Sequence, residues 1–288
     1  MKYAGVSILI IIALLFVFGQ IKYGPFHYVG FYNVFSPTNI NEAIDISYGE
    51  HPRLKLDIYF PDKEIKKKNK VVFFIHGGAW DSNSKDSFKF IGKALAQNGY
   101  TAVLPNYRLA PEYKHPAQIK DIAQALKWTE KNISNFGGNE KEIVISGHSA
   151  GGHLAALIGY GDKWQQKYDI NKRNIRALVL LAGVYKFADK YEEGSEPVKN
   201  FVPKNLWEDA QPVHYLDSSD PPTYILHGLK DETVIPKQSY HLAKKLTEKG
   251  IEHKSILKNE LNHISLLFSF GNKSNDIWDE FSLNTDEK

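Results

Sequence analysis

The sequence predicts an α/β fold, a mostly parallel central sheet with helices on both faces. Three observations carry this. Short, continuous apolar runs recur along the chain, as parallel strands covered on both faces require. Amphipathic helical stretches lie between them. The composition, 288 residues with 42% hydrophobic and 24% charged, suits a chain that buries a sizeable core, and it excludes a disordered or fibrous protein.

The elements follow in order. Residues 44–48 and 54–59 alternate like paired strands, with a turn over residues 49–52. Val71–Ile75 is the first continuous apolar run, followed by residues 102–104, 143–145, 177–181 and 224–226, with a last strand around 254–257. After Pro116, residues Ile119, Ile122, Ala123, Leu126 and Ile133 share one helical face, and Pro116 suits the first turn. Residues 237–249 form a second amphipathic helix, stopped by Gly250. The lysine-rich residues 62–70 read as a solvated loop. Residues 185–220 hold aromatics, prolines and charges without a strand period; an insertion of this kind covers a site as a lid or wall.

Composition also narrows the chemistry. The chain has no cysteine, which excludes disulfides, zinc–thiolate sites, iron–sulfur clusters and a thiol nucleophile. A net charge of +3 gives no case for a nucleic-acid partner. The histidine count of 11 invites a metal reading, but His148 and His153 lack the H-E-x-x-H spacing and no carboxylates cluster beside them. Gly137-Gly138 and Gly151-Gly152 lack the dinucleotide-binding form G-x-G-x-x-G. No cofactor and no metal are expected.

The strongest motif is Gly147-His148-Ser149-Ala150-Gly151, followed by Gly152. It joins the strand at 143–145 to a helical pattern through His153, Leu154, Leu157 and Ile158. That is the context of a nucleophile elbow, in which Ser149 sits in a strained turn that lifts its hydroxyl out of the sheet. Side chains two residues either side would collide with the neighbouring strand and helix, hence the glycines. The helix that follows aims its first amides at the site, Ala150 among them. Upstream, His76-Gly77-Gly78-Ala79-Trp80 follows Val71–Ile75 directly. Its glycines let the backbone of Gly77 and Gly78 approach an oxyanion. His76 and Trp80 read as residues that hold this loop.

With these motifs the chain resembles the α/β-hydrolases, and among them the esterases with a His-Gly-Gly oxyanion loop. The resemblance rests on His76 to Trp80, Tyr107-Arg108-Leu109-Ala110-Pro111-Glu112, Gly147 to Gly152, and His227-Gly228-Leu229-Lys230-Asp231. It spans roughly residues 43–267. It departs from the hormone-sensitive-lipase-like branch in two places: Ala79 follows the two loop glycines, and His148 precedes the serine. Both bring it closer to feruloyl-esterase-like, kynurenine-formamidase-like and prenylcysteine-methylesterase-like members.

The resemblance implies a chain order of serine, acid, histidine. Asp231 follows the strand 224–226 and its turn, with Glu232 beside it as the alternative acid. Asp220 precedes that strand, at the wrong end of the sheet. His263 follows the last strand in a polar turn with Asn259 and Asn262, whereas His241 falls within a helix and His253 opens a strand. The implied site is therefore Ser149, Asp231 and His263, with Gly77, Gly78 and Ala150 as oxyanion donors. The implied activity is hydrolysis of a small-molecule carboxylic ester through an acyl-enzyme. The alternatives are an arylformamidase-like C–N hydrolase and, more remotely, a binding protein on a hydrolase scaffold.

The first residues do not belong with this domain. Residues 3–19 carry no charge, a length at the lower edge of a membrane span. The expected organisation is a transmembrane anchor or signal peptide over residues 1–21, an aromatic linker over 22–42, and a catalytic domain over 43–288. An apolar N-terminal helix and membrane association follow. Lys2 alone precedes the run, placing the catalytic domain on the extracytoplasmic side; a cleaved signal would export the protein instead. In the linker, Tyr28, Phe31, Tyr32 and Phe35 fall at helical spacing after Tyr23 and Phe26. Such a stripe either packs on the domain or lies at the membrane interface.

Overall fold

The computed structural model describes residues 32–33 and 36–271. The uncharged run 3–19, and with it the expected N-terminal helix, lies outside the described residues, as do Tyr23, Phe26, Tyr28, Phe31 and Phe35. Among the described residues no helix is long and apolar enough to cross a membrane. Tyr32 is described, and it packs on the domain: its ring stacks on Phe268 at 3.4 Å and leans on Phe90 at 5.9 Å.

Eight strands form one sheet. In chain order they are β1 (Asn41–Ser47), β2 (Lys55–Phe60), β3 (Val71–Ile75), β4 (Thr101–Pro105), β5 (Ile143–His148), β6 (Ile175–Leu181), β7 (Thr223–Gly228) and β8 (His253–Lys258). Across the sheet they run β1-β2-β4-β3-β5-β6-β7-β8. β1 pairs antiparallel with β2, and β2 antiparallel with β4; every other pair is parallel. The apolar runs seen in the sequence all fall within these strands, and Val71–Ile75 is the whole of β3.

The helices are α1 (Lys89–Gln97), α2 (Ala117–Asn132), α3 (Ala150–Tyr160), α4 (Asp162–Lys167), α5 (Glu196–Phe201), α6 (Lys237–Glu248) and α7 (His263–Phe270). They cover both faces because alternate residues of a buried strand feed opposite cores. Phe73 and Ile75 pack with Ile119, Ile122, Leu154 and Leu242, from α2, α3 and α6. Val72 and Phe74 pack with Ile91, Leu95, Leu266 and Phe270, from α1 and α7. Gly250 closes the turn after α6 at φ 69°, with open space where a side chain would stand.

Two further features shape the domain. Lys85 is buried, yet its ammonium lies 2.7 Å from Asp45 and 2.8 Å from Asp57. These pairs tie the antiparallel β1–β2 edge to the turn before α1, and a buried charge is tolerated only when paired in this way. The insertion over 185–220 is built from short helical turns and α5. His115 N–H donates to Phe201 O at 2.8 Å, and Trp207 Nε1–H to Ala188 O at 2.9 Å.

Because β3 and β5 to β8 are parallel, the loops that follow them all emerge at one edge. In open α/β sheets ligands bind at that carboxyl edge. His76–Trp80, Ser149, Asp231 and His263 all stand in these loops or at the helix starts they lead into.

Candidate active site

Ser149 sits between β5 and α3 with φ 57° and ψ −120°, a strained conformation for a residue with a side chain and the mark of an elbow. The flanking glycines are obligatory for steric reasons. A Cβ on Gly151 would stand 2.0 Å from Ile75 O, and one on Gly147 would stand 2.3 Å from Gly151 O. The elbow can therefore press against the end of β3 only without a side chain at Gly151, and close on itself only without one at Gly147. Ala150 opens α3, so its N–H has no carbonyl four residues back to meet and points with the positive end of the helix.

The loop after β3 lies against this turn. A Cβ on Gly77 would be 2.8 Å from His148 O and 3.2 Å from Ser149 Cβ, so glycine is what lets the two backbones meet. Gly78, Ala79 and Trp80 then take φ values of 123°, 50° and 64°. For the two residues with side chains, such a conformation costs on the order of 1–3 kcal/mol each. The His76 ring stacks on Tyr107 at 4.3 Å, and its Nδ1 lies 2.8 Å from Gly77 O. Burial pushes the His76 imidazole down to about 3, so it stays neutral, with its one proton on Nδ1 donated to Gly77 O. Trp80 is buried, its indole Nε1–H donating to His153 Nδ1 at 3.2 Å.

Asp231 and His263 meet as the resemblance implies. His263 Nδ1 lies 2.7 Å from Asp231 Oδ2, and each residue is only 3% exposed. The carboxylate accepts the Nδ1 proton, which leaves Nε2 as the basic nitrogen. Asp231 Oδ1 accepts from Thr233 N–H at 2.9 Å and Val234 N–H at 2.8 Å. Burial pushes the Asp231 carboxyl up. Hydrogen bonds from His227 and His263 and the charge of His263 outweigh it and hold the group well below the usual carboxylate range. Glu232 points to solvent. Asp220 pairs with Lys172 at 3.0 Å before β7, at the far edge of the sheet. His241 and His253 lie on α6 and at the start of β8.

One sequence expectation needs correcting. His263 is not in a polar turn; it is the first residue of α7. Asn262 caps that helix by accepting from Ile264 N–H and Ser265 N–H, while the Ser265 hydroxyl accepts from Asn262 N–H. A capping box of this type is visible in a sequence only when serine is allowed at the third position in place of Glu or Gln.

Three histidines that sequence reasoning left without a role surround the site. His148 Nε2–H donates to His263 O at 2.9 Å, and the two rings lie 4.5 Å apart. Burial, then the charge of His263, hold the His148 imidazole well below its ordinary value, so it is neutral. His227 Nε2 faces two oxygens, Val234 O at 2.7 Å and Asp231 Oδ2 at 3.2 Å. Two acceptors require the proton on Nε2, so Nδ1 accepts from the Ser239 hydroxyl at 2.6 Å. His153 Nε2 lies 2.8 Å from Ala210 O, and burial pushes its imidazole down to about 3. Arg108, in the motif after β4, grips the buried Asp121 of α2 through its Nε at 2.9 Å and a terminal nitrogen at 2.7 Å.

Ser149 opens onto a cavity of about 380 Å³. Besides Ser149 it is lined by Ala79, Trp80 and Ala150, by Val184, Ser195, Pro197 and Val198, and by Thr233, Val234, Ile235 and Gln238. No charged side chain lines it. The insertion is thus a wall of this cavity, and Gln238 fastens it by accepting from Tyr185 N–H and Lys186 N–H at 2.9 and 3.0 Å.

Comparisons with known proteins agree with this picture. The family model described as BD-FAE matches residues 56–246. The chain is 34% identical over 213 residues to LipM of Mycobacterium tuberculosis, described as a probable carboxylic ester hydrolase, covering 68% of this chain and 49% of that protein. It is 28% identical over 255 residues to the isoprenylcysteine alpha-carbonyl methylesterase ICME of Arabidopsis thaliana, covering 82% and 59%. The chain spans about half the length of the curated relatives it matches. Among solved structures, esterase B from Lactobacillus rhamnosis superposes with a TM-score of 0.75 at 20% identity, over 94% of this chain and 93% of that one. A carbohydrate esterase from gut microbiota superposes with a TM-score of 0.74 at 22% identity, over 86% and 97%. At these identities the structural likeness is one of fold.

Proposed function

The chain belongs to the BD-FAE family, and from that premise we propose that it is a serine hydrolase of carboxylic esters. The observation that carries this reading is the buried His263–Asp231 pair, held at 2.7 Å in the loops at the same sheet edge as a serine in an elbow conformation. Relatives described as esterases support it. In this reading Ser149 Oγ attacks the ester carbonyl while His263 Nε2 takes its proton. The oxyanion is met by the N–H groups of Ala150 and of Gly77 or Gly78, each such donor typically being worth roughly 10²–10³ in rate. The C–O bond then breaks, the alcohol leaves with the proton held by His263, and an acyl-enzyme remains. Water, deprotonated by His263, attacks the acyl carbon and releases the acid and the free serine.

The cavity narrows the substrate. Its walls are largely apolar and carry no charge, so a neutral acyl or alkoxy group is favoured there over a charged one. A panel of p-nitrophenyl esters run beside N-formyl arylamines tests the reading. Turnover of short-chain esters at least ten-fold above the formamides is expected. The reverse order would assign the site to C–N hydrolysis, and no turnover of either would leave a binding protein on this scaffold.

We also propose that residues 3–19 hold the protein at a membrane with the catalytic domain on the extracytoplasmic side; the anchor rests on their uncharged sequence and the orientation on the positive charge of Lys2 before them. Full-length protein should sediment with membranes, resist high salt and yield to detergent. Soluble protein lacking its first residues by mass spectrometry would instead mark a cleaved signal.

A further inference from the structure

The proposed mechanism needs the Gly77 and Gly78 amides at a fixed place, yet the loop that bears them is strained. Gly78, Ala79 and Trp80 occupy the left-handed region in succession. Strain of this kind persists only where the surroundings over-determine the backbone. Here Trp80 is the fixed point. Its carbonyl accepts from Ala110 N–H at 2.9 Å, and its indole stacks flat on Phe201 at 4.6 Å. Its Nε1–H reaches His153 Nδ1 at 3.2 Å.

That last bond depends on a tautomer. Nδ1 accepts only if the imidazole proton is on Nε2, and Ala210 O at 2.8 Å from Nε2 selects that form. His153 lies one helical turn beyond Ser149 on α3, its N–H donating to Ser149 O at 3.0 Å. One rigid helix therefore sets the serine, the Ala150 amide and, through His153, the loop with the remaining oxyanion donors. We propose that His153 is a positioning residue for the oxyanion loop, acting through the Trp80 indole. The proposal rests on the reading of Gly77 and Gly78 as oxyanion donors.

The two nitrogens of His153 can be tested apart. His153→Asn keeps an acceptor near Nδ1 and loses the donor to Ala210; His153→Gln keeps the donor and loses the acceptor for Trp80. Each removes one buried hydrogen bond, so a merely structural role predicts similar thermal destabilisation and similar kinetics for both. Positioning predicts that His153→Gln lowers kcat on p-nitrophenyl acetate by roughly 10–100-fold with KM changed by less than about three-fold, while His153→Asn stays within about three-fold of wild type. Trp80→Phe, which keeps the stack and loses the N–H, should match His153→Gln, and the double variant should be no worse than either. Equal kinetics in the Asn and Gln variants, or a fully active Trp80→Phe, would overturn the positioning role. Wild-type turnover and labelling by a fluorophosphonate report separately on the hydrolase reading. If both are absent that reading fails and the positioning role falls with it.

Discussion

Ser149→Ala is expected to lower kcat toward an aryl ester by about 10⁶-fold, the loss typical when the nucleophile of such a triad is removed, and to leave the melting temperature close to that of the wild type. The reason for the second half is local. Ser149 occupies the elbow through its backbone, held by Ser149 N–H donating to Leu181 O at 2.9 Å, and its side chain is not part of either core. Alanine in that conformation carries the same Cβ and no new clash. A fluorophosphonate should label the wild type at Ser149 and leave the variant unmodified. Labelling that survives in Ser149→Ala would move the nucleophile elsewhere.

Asp231→Asn should lower kcat by about 10⁴-fold, whereas Glu232→Gln should stay within about two-fold, as expected for a solvent-facing side chain away from the proposed chemistry. The asymmetry follows from the hydrogen bonds. Asp231 Oδ2 faces donors from His263 and His227, and Oδ1 faces the Thr233 and Val234 amides. An amide has one oxygen for these two sides. With its NH₂ toward His263 it forces the wrong tautomer; turned around, it confronts two backbone N–H groups that hold the loop. The pH dependence of stability gives a second readout. A carboxylate whose folded pKa is depressed contributes stability that is present above its unfolded pKa, about 3.9, and lost as pH falls through the folded value. The gap in melting temperature between wild type and Asp231→Asn should therefore be full near neutrality and narrow below about pH 4. A larger kinetic loss in Glu232→Gln than in Asp231→Asn would show that the acid is the neighbouring residue.

The sequence by itself determined the sheet and the elbow. Val71–Ile75 and its fellow strands are legible because a strand buried on both faces must be apolar at every position, and β3 has the bounds its composition predicts. Gly147 is legible because a Cβ there would strike the backbone of Gly151 four residues on, and Gly151 is legible through the same local G-x-S-x-G spacing although the backbone it clears belongs to the distant Ile75. These are short-range facts, written in neighbouring letters. The α1 helix escaped because Phe90, Ile91, Ala94 and Leu95 are a brief apolar patch whose period is hard to tell from that of a loop.

The tertiary structure decided which distant groups meet. His227, Asp231 and His263 share hydrogen bonds because β7 and β8 are parallel neighbours whose ends open at the same edge. His148 reaches the His263 carbonyl although β6 and β7 separate β5 from β8, because the elbow carries its ring out over the edge of the sheet toward the start of α7. Trp80 and His153 meet because β3 and β5 pair in register, with Ile75 opposite Gly147. No local pattern marks these histidines, since a side chain's partner is set by strand order and register. Those in turn follow from the packing of two cores on opposite faces of the sheet, a property of the whole chain.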